Sequence, residues 1–379
     1  MTHGFEFALE QDALRLEARA IPINRICDDP SQALWDTDRV RVVFRIDALA
    51  QDDVKKLCRE TGGECSNAEG GLAVFEAKRE RLAPLAGSNN RTAAILLHAH
   101  DAATSPYSPP VLMGILNVTP DSFSDGARFN ELDSALERAR SMAREGAAII
   151  DIGGESTRPG SEPVTLADEL ARVLPVIEAL AGESIEASIS IDTRKAEVAR
   201  RAVDAGATIV NDTSAGLHDP LMLSTVAALN CRYIAMHMQG TPSDMQKAPS
   251  YGDPVHEILC WLRERAAVCL EAGIAPGRLV LDPGIGFGKT LEHNVALVRR
   301  SVEFRSLGFP LLSGVSRKSF LGQLTGVETP DQRIGATLAA VSLCVAGGIE
   351  ILRVHDVAQA AQAVAVAAAH SGLSTLATR

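Results

Sequence analysis

From residue 111 onward the sequence repeats one pattern: a short apolar run ending in a small or polar residue, then an amphipathic stretch. The runs occupy residues 111–118, 148–153, 187–192, 208–212, 232–237, 279–282, 311–315 and 350–354. Among the stretches between them are 133–145, 166–181, 194–205 and 254–272, whose apolar residues recur at helical spacing. Strands that are apolar almost throughout suit a parallel sheet, where both faces are covered. Eight strand–helix units in succession predict an α/β fold, a closed (β/α)8 TIM barrel. A doubly wound open sheet is the competing arrangement.

The barrel makes a demand that can be checked on the sequence. Its functional groups must lie at the carboxyl ends of the strands, because the loops that follow them build the site. Polar residues do collect there: Asn117, Glu155 to Arg158, Asp192, Asn211, Asp212, His237, Asp282, Ser316, Arg317, Lys318, Arg353 and His355. A structural protein has no reason to load one rim in this way, so the distribution points to an enzyme.

Ahead of the barrel lie about 100 residues of different character. Val40, Val42, Phe44 and Ile46 alternate with Arg41, Val43 and Arg45, the period of a half-buried strand. A helix is predicted over 49–60, ended by Gly62 and Gly63. Short strands are predicted at 72–77 and 92–97, with a helix at 78–85 between them. Residues 101–110 contain three prolines and several small residues, the composition of a linker. The domains are therefore read as 1–105, a small α+β N-terminal module without a chemical motif, and 106–379, the barrel.

Bulk properties exclude several classes. The 379 residues are 46% hydrophobic and 22% charged, ordinary for a soluble globular protein. A net charge of −11 argues against non-specific nucleic-acid binding. No run is long enough to span a membrane, and the first ten residues lack the basic and apolar regions of a secretory signal. Seven scattered cysteines without a Cys-x-x-Cys pair read as free thiols of a reducing, cytoplasmic compartment. The segment Gly284-Ile285-Gly286-Phe287-Gly288-Lys289 suggests a phosphate cradle, but its spacing does not match a Walker motif. A glycine-rich turn that lets the chain approach a ligand is the preferred reading.

The strand-end segments form an ordered set. Met113-Gly114-Ile115-Leu116-Asn117-Val118-Thr119-Pro120-Asp121-Ser122-Phe123-Ser124-Asp125-Gly126 is followed by Gly153-Gly154-Glu155-Ser156-Thr157-Arg158-Pro159-Gly160. Then come Ser190-Ile191-Asp192-Thr193, Asn211-Asp212, Met236-His237-Met238-Gln239-Gly240, Asp282 to Lys289, Ser316-Arg317-Lys318-Ser319 and Arg353-Val354-His355-Asp356. In kind and order these resemble the motifs of the dihydropteroate synthases, over about residues 111–370. One such motif would be weak; the full set, one per strand end, is specific. Ile285 stands where many members of that family have a larger aromatic residue, which implies a slightly altered pocket.

The resemblance implies a function and assigns roles. Dihydropteroate synthases join 6-hydroxymethyl-7,8-dihydropterin diphosphate to p-aminobenzoate, releasing diphosphate. A pterin presents a ring N–H beside an amino group, an edge that a carboxylate accepts with two charge-assisted bonds. Carried over, Asp192 and Asp282 face that edge, Asn211 completes it, Lys318 donates to the opposite side, and Met236 forms a wall. The alternative for either aspartate is capping of the helix that follows; for Asn211, ordering of a loop; for Met236, plain core. Arg158, Arg353 and His355 gather the diphosphate, and Asn117 helps to hold Mg²⁺. Thr157, Pro159, Ser316, Phe287, Lys318 and Phe123 contact the aromatic amine, while Arg317 packs on the surface or tunes its loop. Early loss of diphosphate would leave a cation delocalised into the ring, and the loops 119–130 and 154–162 would close to exclude water. The family is usually a homodimer. Two competing functions are a methyltransferase acting on a reduced folate with a corrinoid partner, and a pterin-binding module without catalysis. Arylamine ligation with diphosphate release separates the three.

Overall fold

Alternation along a strand decides what the barrel contains. Successive side chains point to opposite faces, so residues i and i+2 share the interior. In this computed structural model, one interior layer is Met113, Ile149, Ile209, Ile234, Val280, Leu312 and Ile351, all buried and in mutual contact. Two residues further along their strands come Ile115, Asp151, Asn211, Met236, Asp282, Gly314 and Arg353. The apolar floor thus gives way to a polar rim within one pleat.

The structure describes residues 19–20, 39–45, 51–67, 72–87, 90–104, 110–118, 128–155, 164–183, 185–241 and 244–371. The chain divides into two compact units, Met1–Pro106 with Val302–Phe309, and Tyr107–Ser301 with Pro310–Arg379. In the first unit, β1 (Arg19–Ala20), β2 (Arg39–Arg45), β3 (Glu64–Asn67) and β4 (Leu72–Lys78) form an antiparallel sheet of order β1-β2-β4-β3. Helices Gln51–Thr61, Arg79–Gly87 and Arg91–Thr104 accompany it. Val40, Val42, Leu57, Phe75, Leu82 and Leu96 form its core.

Two expectations fail in this unit. Residues 92–97 are not a strand but part of the helix Arg91–Thr104, which also takes up the first four residues of the predicted linker. Asn90 Oδ1 accepts the Ala93 N–H at 3.1 Å and so caps the helix start. Ala93, Leu96 and His100 are buried at helical spacing. A short, strongly apolar run is ambiguous between the two elements, and here the cap and the alanines decide. The strand β3 was not expected: Glu64, Cys65 and Ser66 are exposed and carry no apolar alternation.

The second unit is the predicted barrel. Its strands are β5 (Val111–Asn117), β6 (Ala147–Gly153), β7 (Ser188–Asp192), β8 (Ile209–Asp212), β9 (Arg232–Met236), β10 (Leu279–Asp282), β11 (Leu312–Ser313) and β12 (Ile351–Val354). All neighbours run parallel, in the order β10-β9-β8-β7-β6-β5-β12-β11. A parallel bridge between Leu281 and Leu311, with Leu281 N–H donating to the Pro310 carbonyl at 3.0 Å, joins the two ends. The sheet is closed, which excludes the open doubly wound alternative. The strand bounds agree with the expected runs to within two residues at each end.

Helices follow the strands as predicted, and several start on side-chain caps. Thr165 accepts the Asp168 N–H ahead of Leu166–Ala181, and Asp253 accepts from Val255 and His256 ahead of Pro254–Glu271. Thr290 and His293 form a reciprocal capping box at Leu291–Arg299.

The floor layer should carry much of the stability of the barrel. Ile209→Ala removes a buried side chain from a closed ring with little room to collapse, and should cost about 2–5 kcal/mol in urea unfolding. A loss below about 1 kcal/mol would show that the interior layer is not packed as described.

Candidate active site

Register places the rim side chains in a row. Asn117 pairs with Gly153, Gly153 with Asp192, and Asp192 with Asn211, across four neighbouring strands. Gly153 has no side chain, so the groups on either side face one another across it. A Cβ built there would lie 3.6 Å from Asp192 Cβ and 3.7 Å from Asn117 Oδ1. On the other side, Asp282 pairs with Met236. Ser316 and Lys318 follow β11, and His355 follows β12.

Arg353 ties this row together. Its Nε donates to Asp151 Oδ2 at 2.6 Å and its Nη2 to Asp192 Oδ2 at 2.7 Å. Asp151 also accepts from Ser190 Oγ at 2.6 Å and Asn211 Nδ2 at 3.0 Å. A carboxylate can only accept, so the contact fixes the Asn211 amide and leaves its oxygen as an acceptor at the rim. Asp282 is held differently. Its Oδ1 accepts the Gly284 N–H at 2.7 Å, and no protein donor reaches Oδ2 among the described residues.

The glycine-rich segment has a local reason. Gly284 has φ +69°, and a side chain there would overlap the His237 carbonyl oxygen; Gly288 abuts the backbone of Gln239 in the same way. These glycines let the loop after β10 lie against the loop after β9. At Gly286 a Cβ would come within 2.8 Å of Lys318 Cδ, so this position also makes room for the Lys318 side chain. Lys318 Nζ lies 4.0 Å from the centroid of the Phe287 ring, a cation–π contact. Buried Lys289 bonds to His237 Nδ1 at 3.0 Å and to the Phe287 carbonyl at 2.8 Å. His237 in turn meets Trp261 edge-on, with centroids 4.8 Å apart.

The arrangement is one of buried carboxylates, an amide, two lysines and an arginine around one barrel mouth. It suits a polar, partly aromatic ligand with a donor-rich edge. Residues 113–355 match the family described as pterin binding enzyme. A dihydropteroate synthase of Synechocystis is 47% identical over 256 residues, 68% of this chain and 88% of the relative. That of Escherichia coli K12 is 48% identical over 259 residues, 68% and 91% of the two chains. The structure of the Xanthomonas albilineans dihydropteroate synthase with 4-aminobenzoic acid superposes with a TM-score of 0.65 at 45% identity, covering 69% of this chain and 93% of that one.

The chain belongs to the dihydropteroate synthases, within the pterin-binding enzymes.

The matched region starts at residue 113, after Met1–Pro106 of the first unit, and includes that unit's other segment, Val302–Phe309. Of the residues singled out from the sequence, Asn117, Asp192, Asn211, Met236, Asp282, Phe287, Ser316, Lys318, Arg353 and His355 stand at or just beyond the strand ends of this family barrel. Phe123, Thr157, Arg158 and Pro159 lie outside the described residues, as does most of each predicted closing loop. Neither Asp192 nor Asp282 initiates the next helix: Lys195 precedes Ala196–Asp204, and Thr290 precedes Leu291–Arg299.

Several buried polar groups around the mouth are visible only in the structure. Asp151 is fully buried and takes three side-chain donors within an otherwise apolar strand. The signal was available: a charged residue amid Ala147-Ala148-Ile149-Ile150 and Ile152 needs a partner. Lys289 and His237 were noted without a role. Behind Glu155, Lys195 Nζ bridges Glu155 and Glu169 at 2.5 Å each, Arg194 also bonds Glu155, and Thr193 Oγ1 bonds Glu169. This network anchors the end of β6. Asp212, adjacent to Asn211, points out of the barrel, accepting from Tyr233, Ser214 and Gly216.

Burial drives the charges of the mouth toward neutrality. Desolvation raises Asp282 to about 6, against the Gly284 N–H and the nearby cations. Asp192 is raised for the same reason, opposed by Arg353 and reinforced by Asp151. Burial lowers Lys289 to about 7 and Lys318 to about 8, the carboxylates opposing it in both cases.

A raised carboxylate destabilises the unliganded fold as it ionises. The favourable contribution of Asp282 is complete below its unfolded value of about 3.9 and is lost as pH rises through about 6. Asparagine does not titrate. The stability of Asp282→Asn relative to the unsubstituted protein should therefore climb between about pH 4 and 6.5 and then level off. Urea unfolding at a series of pH values checks this; a difference independent of pH would mean that Asp282 is not buried as a carboxylate.

Proposed function

We propose that the chain condenses 6-hydroxymethyl-7,8-dihydropterin diphosphate with p-aminobenzoate, giving 7,8-dihydropteroate and diphosphate. The bond between the pterin methylene carbon and the diphosphate oxygen breaks, and the amine nitrogen forms a bond to that carbon and loses a proton. The observation that carries this reading is the carboxylate of Asp282. It is buried in a family barrel with one oxygen taken by a backbone N–H and the other without a protein donor among the described residues. Such a group is matched by the paired donors of a pterin edge.

The remaining roles are those the family resemblance assigns. Asn211, its amide oriented by Asp151, accepts at the same edge. Asp192 and Asp282 favour positive charge on the ring electrostatically as diphosphate departs. Met236 walls the ring, and Lys318 donates to its acceptor side while resting on Phe287. Phe287, Ser316, Thr157, Pro159 and Phe123 receive the aromatic amine. Arg353, Arg158 and His355 hold the leaving group. An arylamine is a free nucleophile near neutral pH, so no strong general base is required.

The residues also fit Mg²⁺. Asn117 offers a hard amide oxygen beside Asp192, and Mg²⁺ takes few protein ligands because it keeps several waters and substrate oxygens. When bound, the ion offsets the charge of the departing diphosphate.

Residues 1–105 are read as a module separate from catalysis. The enzyme is read as a cytoplasmic homodimer, as its family resemblance suggests. Among the described residues no helix is long and apolar enough to cross a membrane. The described cysteines are free thiols, which suits a reducing compartment.

Asp282→Asn turns one acceptor into a donor facing the donors of the pterin. The loss of a charge-assisted pair, worth about 1.5–3 kcal/mol, should weaken pterin binding at least about tenfold with folding retained. Calorimetry giving unchanged affinity would remove Asp282 from the site.

Arg353→Ala should lower turnover by about 10²–10³-fold at saturating Mg²⁺, the usual scale for losing one donor to transition-state charge. Arg353→Lys should restore a part, because an ammonium cannot reproduce the fork that spans Asp151 and Asp192. Equal rates for all three forms in a diphosphate-release assay would show that the leaving group is held elsewhere.

A further inference from the structure

Arg317 has a left-handed backbone, φ 58°, a conformation that side-chain-bearing residues rarely adopt and that gathers at functional sites. It separates Ser316 from Lys318, two residues of the proposed site. All of its polar groups are engaged by the protein. Its N–H donates to the hydroxyl of buried Thr337 at 3.0 Å, and its carbonyl accepts Arg333 Nη1 at 2.9 Å. Its guanidinium forks onto Asp356, with Nε at 3.0 Å from Oδ2 and Nη2 at 2.6 Å from Oδ1, while Nη1 reaches Asp331.

Asp356 follows His355, and the neighbours on each side are also bonded. Ser316 Oγ lies 3.0 Å from His355 Nδ1 and accepts the His355 N–H at 3.2 Å. The His355 carbonyl accepts Arg138 Nη2 at 2.7 Å. Two consecutive residues after β11 are thus locked to two consecutive residues after β12. The first pair, Ser316 with His355, consists of groups assigned to the two reacting ends. The second pair, Arg317 with Asp356, stands behind it and offers nothing to a ligand.

We infer that Arg317 and Asp356 are positioning residues that fix the spacing between the arylamine contacts, Ser316 and Lys318, and the leaving-group contact, His355. The clamp rests on the proposed reaction and deepens it. A planar fork against a carboxylate holds both distance and angle, which a flexible ion pair does not. The left-handed turn at Arg317 lets the guanidinium leave toward Asp356 while the side chains on either side remain at the mouth.

The test is a double-mutant cycle on kcat/KM for p-aminobenzoate, with Arg317→Ala, Asp356→Ala and the pair together. Each single change should lower kcat/KM at least about tenfold, and the double variant should lose little more than the worse single, a coupling of threefold or more. Arg317→Gly keeps the backbone turn without strain but lacks the fork, so it should fall as far as Arg317→Ala. Arg317→Lys should recover a part. Asp356→Asn keeps the side-chain volume and repeats the cycle should an alanine variant fail to fold. Losses that multiply in the double variant, or turnover by Arg317→Gly near that of the unsubstituted chain, overturn the clamp. The unsubstituted chain separates the two ideas: if it releases no diphosphate the reaction itself is wrong, whereas its turnover beside uncoupled variants sinks the clamp alone.

Discussion

One guanidinium organises the barrel mouth. Arg353 lies on the strand that pairs with β5, and it reaches Asp151 on β6 and Asp192 on β7. Without a cation between them, two carboxylates at this depth would repel each other and lose their hydration together. With it, Asp151 can spend its remaining lone pairs on Ser190 and Asn211. The orientation of the Asn211 amide therefore depends on a residue that it does not touch. Sheet closure is what brings Arg353 into reach, so the site and the fold are one construction.

Burial works against the charged forms around this centre in the unliganded protein. Burial raises Asp192 and Asp282 and lowers Lys289 and Lys318, each group resisting the form that water would favour. A ligand with a donor-rich edge would favour ionised Asp282, and an acceptor-rich opposite side would favour charged Lys318. Binding then completes a set of interactions that the empty protein leaves unmade, and such groups are costly to mismatch. This links specificity to the polar rim and leaves stability to the apolar layer one pleat below.

The loops are fixed from behind. Glycines bring the loop after β10 onto the backbone of the loop after β9, and Lys289 holds the Phe287 carbonyl from within. Lys195, Glu155 and Glu169 anchor the end of β6.

Much of this was legible in the sequence. The run-and-stretch period fixed the barrel, because eight buried parallel strands have few other ways to cover both faces. The ordered strand-end motifs fixed the family. The rim is also written locally, as Ile209 then Asn211, Val280 then Asp282, and Ile351 then Arg353, since alternation points both members of each pair inward. Partnership is different. Arg353 and Asp151 stand 202 residues apart, and nothing in the strand that contains Asp151 says which cation will meet it. Asn211 and Asp212 are adjacent and similar in size, yet one faces the mouth and the other bonds Tyr233 outside the barrel. The run at 92–97 could serve a strand or a helix until Asn90 capped it. Periodicity along the chain settles which way a side chain points; which group it meets there is settled by closure of the sheet, a tertiary event that local pattern does not encode.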